Sequence, residues 1–161
     1  MRKSWVVLPV LLALAGCGDA GGGTACTLIG AVAGVTLDVD LPGAGSGTLR
    51  LCGAGGCADH PVELRAERVV VTTSCSGTRP DDTCGAVSGP GPGKVGFVVV
   101  PELTEEPVTA TLVLRDAVGV ELLRHTGELR PLATRPNDPG CTPEAAQAGV
   151  SVAADGAVTT R

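Results

Sequence analysis

The sequence predicts an all-β domain, an immunoglobulin-like antiparallel β-sandwich stapled by disulfides. Three observations carry that expectation. Short segments alternate apolar and polar residues, as half-buried strands do. Glycine and proline, 24 and 12 of 161 residues, punctuate those segments at intervals of about 8 to 12 residues, the spacing of a sandwich. Seven cysteines accompany an aromatic content of only 1%. A core of valine, leucine and alanine buries less area per residue than one with aromatics, so crosslinks matter.

The amino end is read separately from the domain. Met1-Arg2-Lys3 is basic, Trp5 to Ala15 is an uncharged apolar run, and small residues follow. This is the build of a secretory signal peptide, residues 1–16. The run is too short for a membrane-spanning helix, which needs about 20 apolar residues, and Pro9 interrupts it. Ala13-Leu14-Ala15 fits an ordinary cleavage site, but Leu14-Ala15-Gly16-Cys17 resembles the bacterial lipobox. Cysteine parity favours the second: lipid on Cys17 leaves six cysteines that can pair completely. The resemblance implies a diacylglyceryl group on Cys17, hence at least two acyl chains, where one alone holds only weakly. Residues 17–25, rich in glycine, are then a flexible tether, and 26–161 form one domain. The signal, the composition and the spaced cysteines resemble small exported lipoproteins of the actinobacterial type. That resemblance implies a lipid-anchored protein on the extracytoplasmic side of the cell membrane and assigns no functional residue.

Strands are expected in order. Val35–Leu41 and Thr48–Cys52 alternate cleanly, with the glycine-rich turn 43–47 between them. Pro61–Glu67 alternates and runs on into Val69–Thr73. Val95–Val100 is nearly all apolar, as expected of a central strand. Val108–Leu114 and Val120–Arg124 flank a turn at 116–119. A last hairpin, Val150–Val152 with Ala157–Thr159, is expected around Asp155-Gly156. Thr142 to Gln147 offers an N-cap, a proline at the first helical position and good helix formers, so one short helical turn is expected there.

The six remaining cysteines allow 15 connectivities, and proximity along the chain favours one. Cys52 and Cys57 bracket a glycine loop between two strands. Cys75 and Cys84 pinch the polar loop SGTRPDDT at its base. Cys26 then pairs with Cys141, and in the chain-entropy model this long loop gives the strongest staple, about 4.7 kcal/mol.

Charge and composition exclude several functions. The net charge is −5, and loss of Arg2 and Lys3 with the leader makes the exported chain still more acidic. Such a balance does not suit nucleic acid or anionic headgroups, which leaves membrane attachment to the acyl chains. After the leader, Phe97 is the only aromatic residue, so an aromatic carbohydrate-binding platform is not expected.

Residues with chemical potential are few. Cys52, Cys57 and His60, with His125 elsewhere, have zinc-ligand chemistry. In an oxidising compartment, however, those cysteines pair instead. Ser46, in Gly45-Ser46-Gly47, lacks the GxSxG setting of a hydrolase nucleophile, and His125 reads as an exposed strand residue. Asp38 and Asp40, the pair Asp81-Asp82 and the pair Glu105-Glu106 read as solvated charge, without a calcium-loop pattern. Residues 89–94, GPGPGK, place prolines where phosphate-binding amides would be needed. No cofactor, metal or catalytic activity is therefore expected. The expected role is binding, or an envelope accessory task, for a protein or envelope ligand. The alternative is a protease inhibitor presenting Arg79, with Asp81 and Asp82, in the Cys75–Cys84 loop; a hydrolase is a third possibility.

Overall fold

The computed structural model describes residue 26, residues 29–137 and residues 144–161. Among these residues, ten strands form two packed sheets. They are β1 (Gly34–Val39), β2 (Ser46–Gly53), β3 (Gly56–Glu63), β4 (Arg65–Cys75) and β5 (Cys84–Val99). β6 (Val108–Arg115), β7 (Glu121–Leu129), β8 (Leu132–Thr134), β9 (Ala145–Val152) and β10 (Val158–Thr160) follow. One sheet runs β10-β9-β1-β5-β4, with β8 also paired to β9; the other runs β3-β2-β6-β7.

Strands β1 to β7 reproduce the connectivity of the immunoglobulin Greek key. In that key, strands B, E and D lie side by side in one sheet and C, F and G in the other. Here β1, β5 and β4 take the first set of places. β2, β6 and β7 take the second, with β3 added at the edge beside β2. The place beside β1, where strand A would lie, is filled by β9 from the far end of the chain. β9 runs parallel to β1, Gly34 opposite Gln147 and Val39 opposite Val152, while every other strand pair is antiparallel.

Alternation explains the core. Val35, Leu37 and Val39 of β1, Leu49 and Leu51 of β2, and Leu112 and Leu114 of β6 face inward and are buried. Ala146, Ala148, Val150 and Val152 of β9 join them. No polar side chain is buried among the described residues. The expected helical turn near 142–147 is not found where the structure is described: Ala145, Ala146 and Gln147 are strand. Their helix propensity is weak beside their pairing with β8, the pairing of Gln147 with Gly34 of β1, and the burial of Ala146. Residues 142 and 143 lie outside the described residues.

Two further expectations are adjusted. The segment 61–73 is not one strand: it breaks at Leu64, where the chain leaves β3 in one sheet and enters β4 in the other. Pro61 is accommodated because β3 is an edge, where a missing N–H costs no ladder bond. The run Val95–Val100 lies in a central strand, yet only Val98 and Val100 point into the core. Val95, Phe97 and Val99 cover the outer face, and Phe97 is 44% exposed.

Both hairpin disulfides form as the spacing suggested, Cys52–Cys57 and Cys75–Cys84, each between directly paired residues with Cα atoms 4.0 Å apart. Cys26 is disulfide-bonded; its partner lies outside the described residues, as do Cys141 and Cys17.

Candidate functional site

Two features at opposite ends of β5 stand out from the sandwich. β1 pairs with β5 only from Lys94 to Val99. Beyond that, residues 68–75 of β4 and 84–90 of β5 pair solely with one another. They form a two-stranded ribbon that leaves the body, its residues largely exposed, and the Cys75–Cys84 bridge closes its tip. Pro90, Gly91, Pro92 and Gly93 explain the departure. Their register shifts between Ala66 and Arg68, and a second shift between Val70 and Thr72 bends the ribbon again. Prolines in strands belong at such irregularities. Along the ribbon Val70, Val71 and Val87 are each more than half exposed, and Arg68 donates across it to the carbonyl of Ser88 at 2.8 Å.

The tip holds the predicted interaction loop, and it is a tight turn. Asp82 N–H donates to the Arg79 carbonyl at 3.1 Å, with Pro80 at the second position, where proline presets the backbone. The Asp82 carboxylate in turn accepts from the Arg79 N–H at 2.6 Å. Arg79 and Asp81 are exposed. An inhibitory loop must offer an extended backbone to a protease; here the Arg79 amide and carbonyl are both engaged within the loop.

The second feature is a groove of about 400 Å³ at the other end of the sandwich. One wall is the β2–β3 hairpin tip, Gly53 to Cys57, where Gly56 takes a φ of 106° to turn the chain. The other is the β5–β6 connection. Pro101 and Glu102 form a turn closed by Leu103 N–H to the Val100 carbonyl at 3.0 Å. That turn tucks Val100 and Leu103 inward, both buried, and leaves Glu102 at the mouth. The floor is Leu51, Val100, Leu103 and Val108; Glu102, Glu106 and His60 supply charge and polarity. The sequence marked His60 as a ligand candidate and Glu105-Glu106 as solvated charge, but did not bring His60 and Glu106 together. Only the turn at Pro101-Glu102 hints at this.

The remaining candidates are dispersed. Cys52 and Cys57 are bonded to one another, so neither offers a thiolate to metal, and no group of three metal-ligating side chains occurs among the described residues. His60 and His125 stand on β3 and β7, the two edges of the four-stranded sheet, three strand spacings or about 14 Å apart. His125 is half-buried on the inward face of β7, not exposed as expected. Ser46 opposes Glu63 and Arg115. Asp38 pairs with Arg161 on the outer face of β1, and a Cβ on Gly93 would strike the Asp40 carboxylate. No family model, no curated protein and no solved structure matches the chain.

Proposed function

We propose that this protein is a lipid-anchored, extracytoplasmic binding module that contacts an envelope partner through the β4–β5 ribbon. The observation that carries the reading is the ribbon itself. Residues 68–75 and 84–90 exchange backbone bonds only with one another, past the point where β1 stops pairing with β5, and expose valines that the fold does not use. Exposed apolar residues on a projecting strand pair are expensive to keep without a partner.

A lipid anchor on Cys17 would orient the domain. The chain enters β1 where β5 ends, since Gly34 opposes Val99 and Val100 N–H donates to the Ala33 carbonyl at 3.0 Å. A lipid on Cys17 would therefore hold the groove end toward the membrane, within a reach of about 30 Å for residues 17–25. The ribbon would point outward. Cys17→Ser should move the protein from the detergent phase to the aqueous phase; unchanged partitioning would remove the anchor from this account. Photocrosslinking groups placed at Val71 or Val87 should capture one partner from intact cells, while the same group at Val118, in the β6–β7 turn, should not. Equal capture at all three positions would remove the ribbon.

A further inference from the structure

We infer that the groove between the β2–β3 tip and the β5–β6 connection binds a small amphipathic cation, an ammonium or guanidinium head on an alkyl body. The volume, about 400 Å³, lies within the usual range for small-molecule sites, roughly 300–1,000 Å³. Its floor is aliphatic, with Leu51, Val100 and Leu103 buried, which suits an alkyl chain and provides no aromatic face to stack on. The mouth carries Glu102 and Glu106 and no lysine or arginine. A carboxylate ligand would meet two like charges there without a counterion, whereas a cation meets both favourably. His60, on the inward face of edge strand β3, closes one side and can exchange a hydrogen bond with the head group.

The opposite lip is made for close approach. A Cβ added at Gly55 or Gly56 would meet nothing within 4 Å, so this rim of the groove is backbone, open to the ligand. Only Gly56 needs glycine for its backbone angle. Gly55 can therefore carry a side chain that obstructs the mouth while leaving the hairpin intact.

The inference stands apart from the ribbon, and its test reads a different part of the molecule. The chain has two histidines, one in the groove and one on the far edge of the same sheet, which makes their ring resonances a built-in pair of reporters. Titration of the purified full chain with n-hexylammonium should shift the His60 ring signals saturably and leave those of His125 in place. n-Butylammonium, two methylenes shorter, should bind about 15-fold more weakly at roughly fourfold per methylene. Hexanoate at the same concentrations should leave His60 unmoved. Glu102→Gln with Glu106→Gln should weaken hexylammonium binding about tenfold with an unchanged thermal midpoint, and Gly55→Leu should abolish it. A silent His60, equal shifts with hexanoate, or undiminished binding in the double variant would each overturn the inference. Ribbon crosslinking at Val71 would be untouched by any of these results.

Discussion

Leu37, with no exposed surface, is a larger determinant of stability than Phe97, the one aromatic residue of the domain, which is 44% exposed. Removing a fully buried leucine leaves a cavity and costs about 2–5 kcal/mol. Phe97→Ala opens no such cavity and should cost clearly less, a ranking that urea unfolding of the two variants reads directly. Size alone would have suggested the reverse. Alternation assigns Phe97 to the face opposite Val98 but cannot say which face the second sheet covers. Among the charges, Glu121 has its carboxyl held below the ordinary glutamate value, first by hydrogen bonds from Arg124 at 2.9 and 2.6 Å and then by its positive charge. A lowered folded-state value means this pair helps stability above the unfolded glutamate value and loses that help as pH falls through the folded one. The pair is solvated and the contribution small. Arg124→Ala should raise the Glu121 titration midpoint measured by carboxyl NMR, and an unmoved midpoint would dismiss the pairing in solution.

At the scale of elements, the hairpins were the legible part. Cys52 with Cys57 and Cys75 with Cys84 could be paired from spacing, because a short loop between alternating segments brings its flanks opposite one another. The ribbon is not legible in the sequence: one of its strands, Val69–Thr73, alternates, but the other, residues 84–90, carries no strand signal. Nothing in the alternation of Val69–Thr73 states that the third strand beside it stops at Lys94. Residues 89–94 lack the features of a phosphate-binding loop; their physical role is at the irregularity where β1 stops pairing with β5 and the ribbon begins. The consequence is local stability. Cys75→Ser with Cys84→Ser removes a bridge nominally worth about 2–3 kcal/mol, but from a segment that buries little. Amide exchange across 68–90 should accelerate markedly while the global denaturation midpoint moves little. A large fall in that midpoint would mean the ribbon is integral to the core.

For the whole molecule, the expected sandwich is present, with a sheet order that no local pattern announces. The sequence pattern predicts only the second half of β9, the hairpin strand Val150–Val152, and predicts a helical turn over part of its first half. Helix propensity at Ala145 to Gln147 is a local property, whereas the strand is set by β8, which pairs with these three residues, and by β1, more than a hundred residues earlier, which pairs with Gln147 to Val152. Likewise the groove depends on a hairpin tip within one sheet meeting the connection that crosses between the two sheets, which neither segment reveals alone. Deletion of residues 145–161 should therefore abolish the cooperative unfolding transition, since β1 loses its parallel neighbour and four inward side chains leave the core. A truncated chain that still melts sharply would show β9 to be an addition to a self-sufficient fold.

The parallel pairing of β1 with β9 also sets the order of events during biogenesis. A chain appearing amino end first has β1 available early, but the strand that pairs beside it, β9, is made more than a hundred residues later. Hairpins such as β2–β3 and β6–β7 can close as they emerge, while the long-range pairing waits, and such non-local contacts are intrinsically slow to form. The sheet around β1 thus stays incomplete until β9 has been made. The same topology leaves β1 with an unpaired edge until β9 arrives, and such an edge is a template for pairing with another chain.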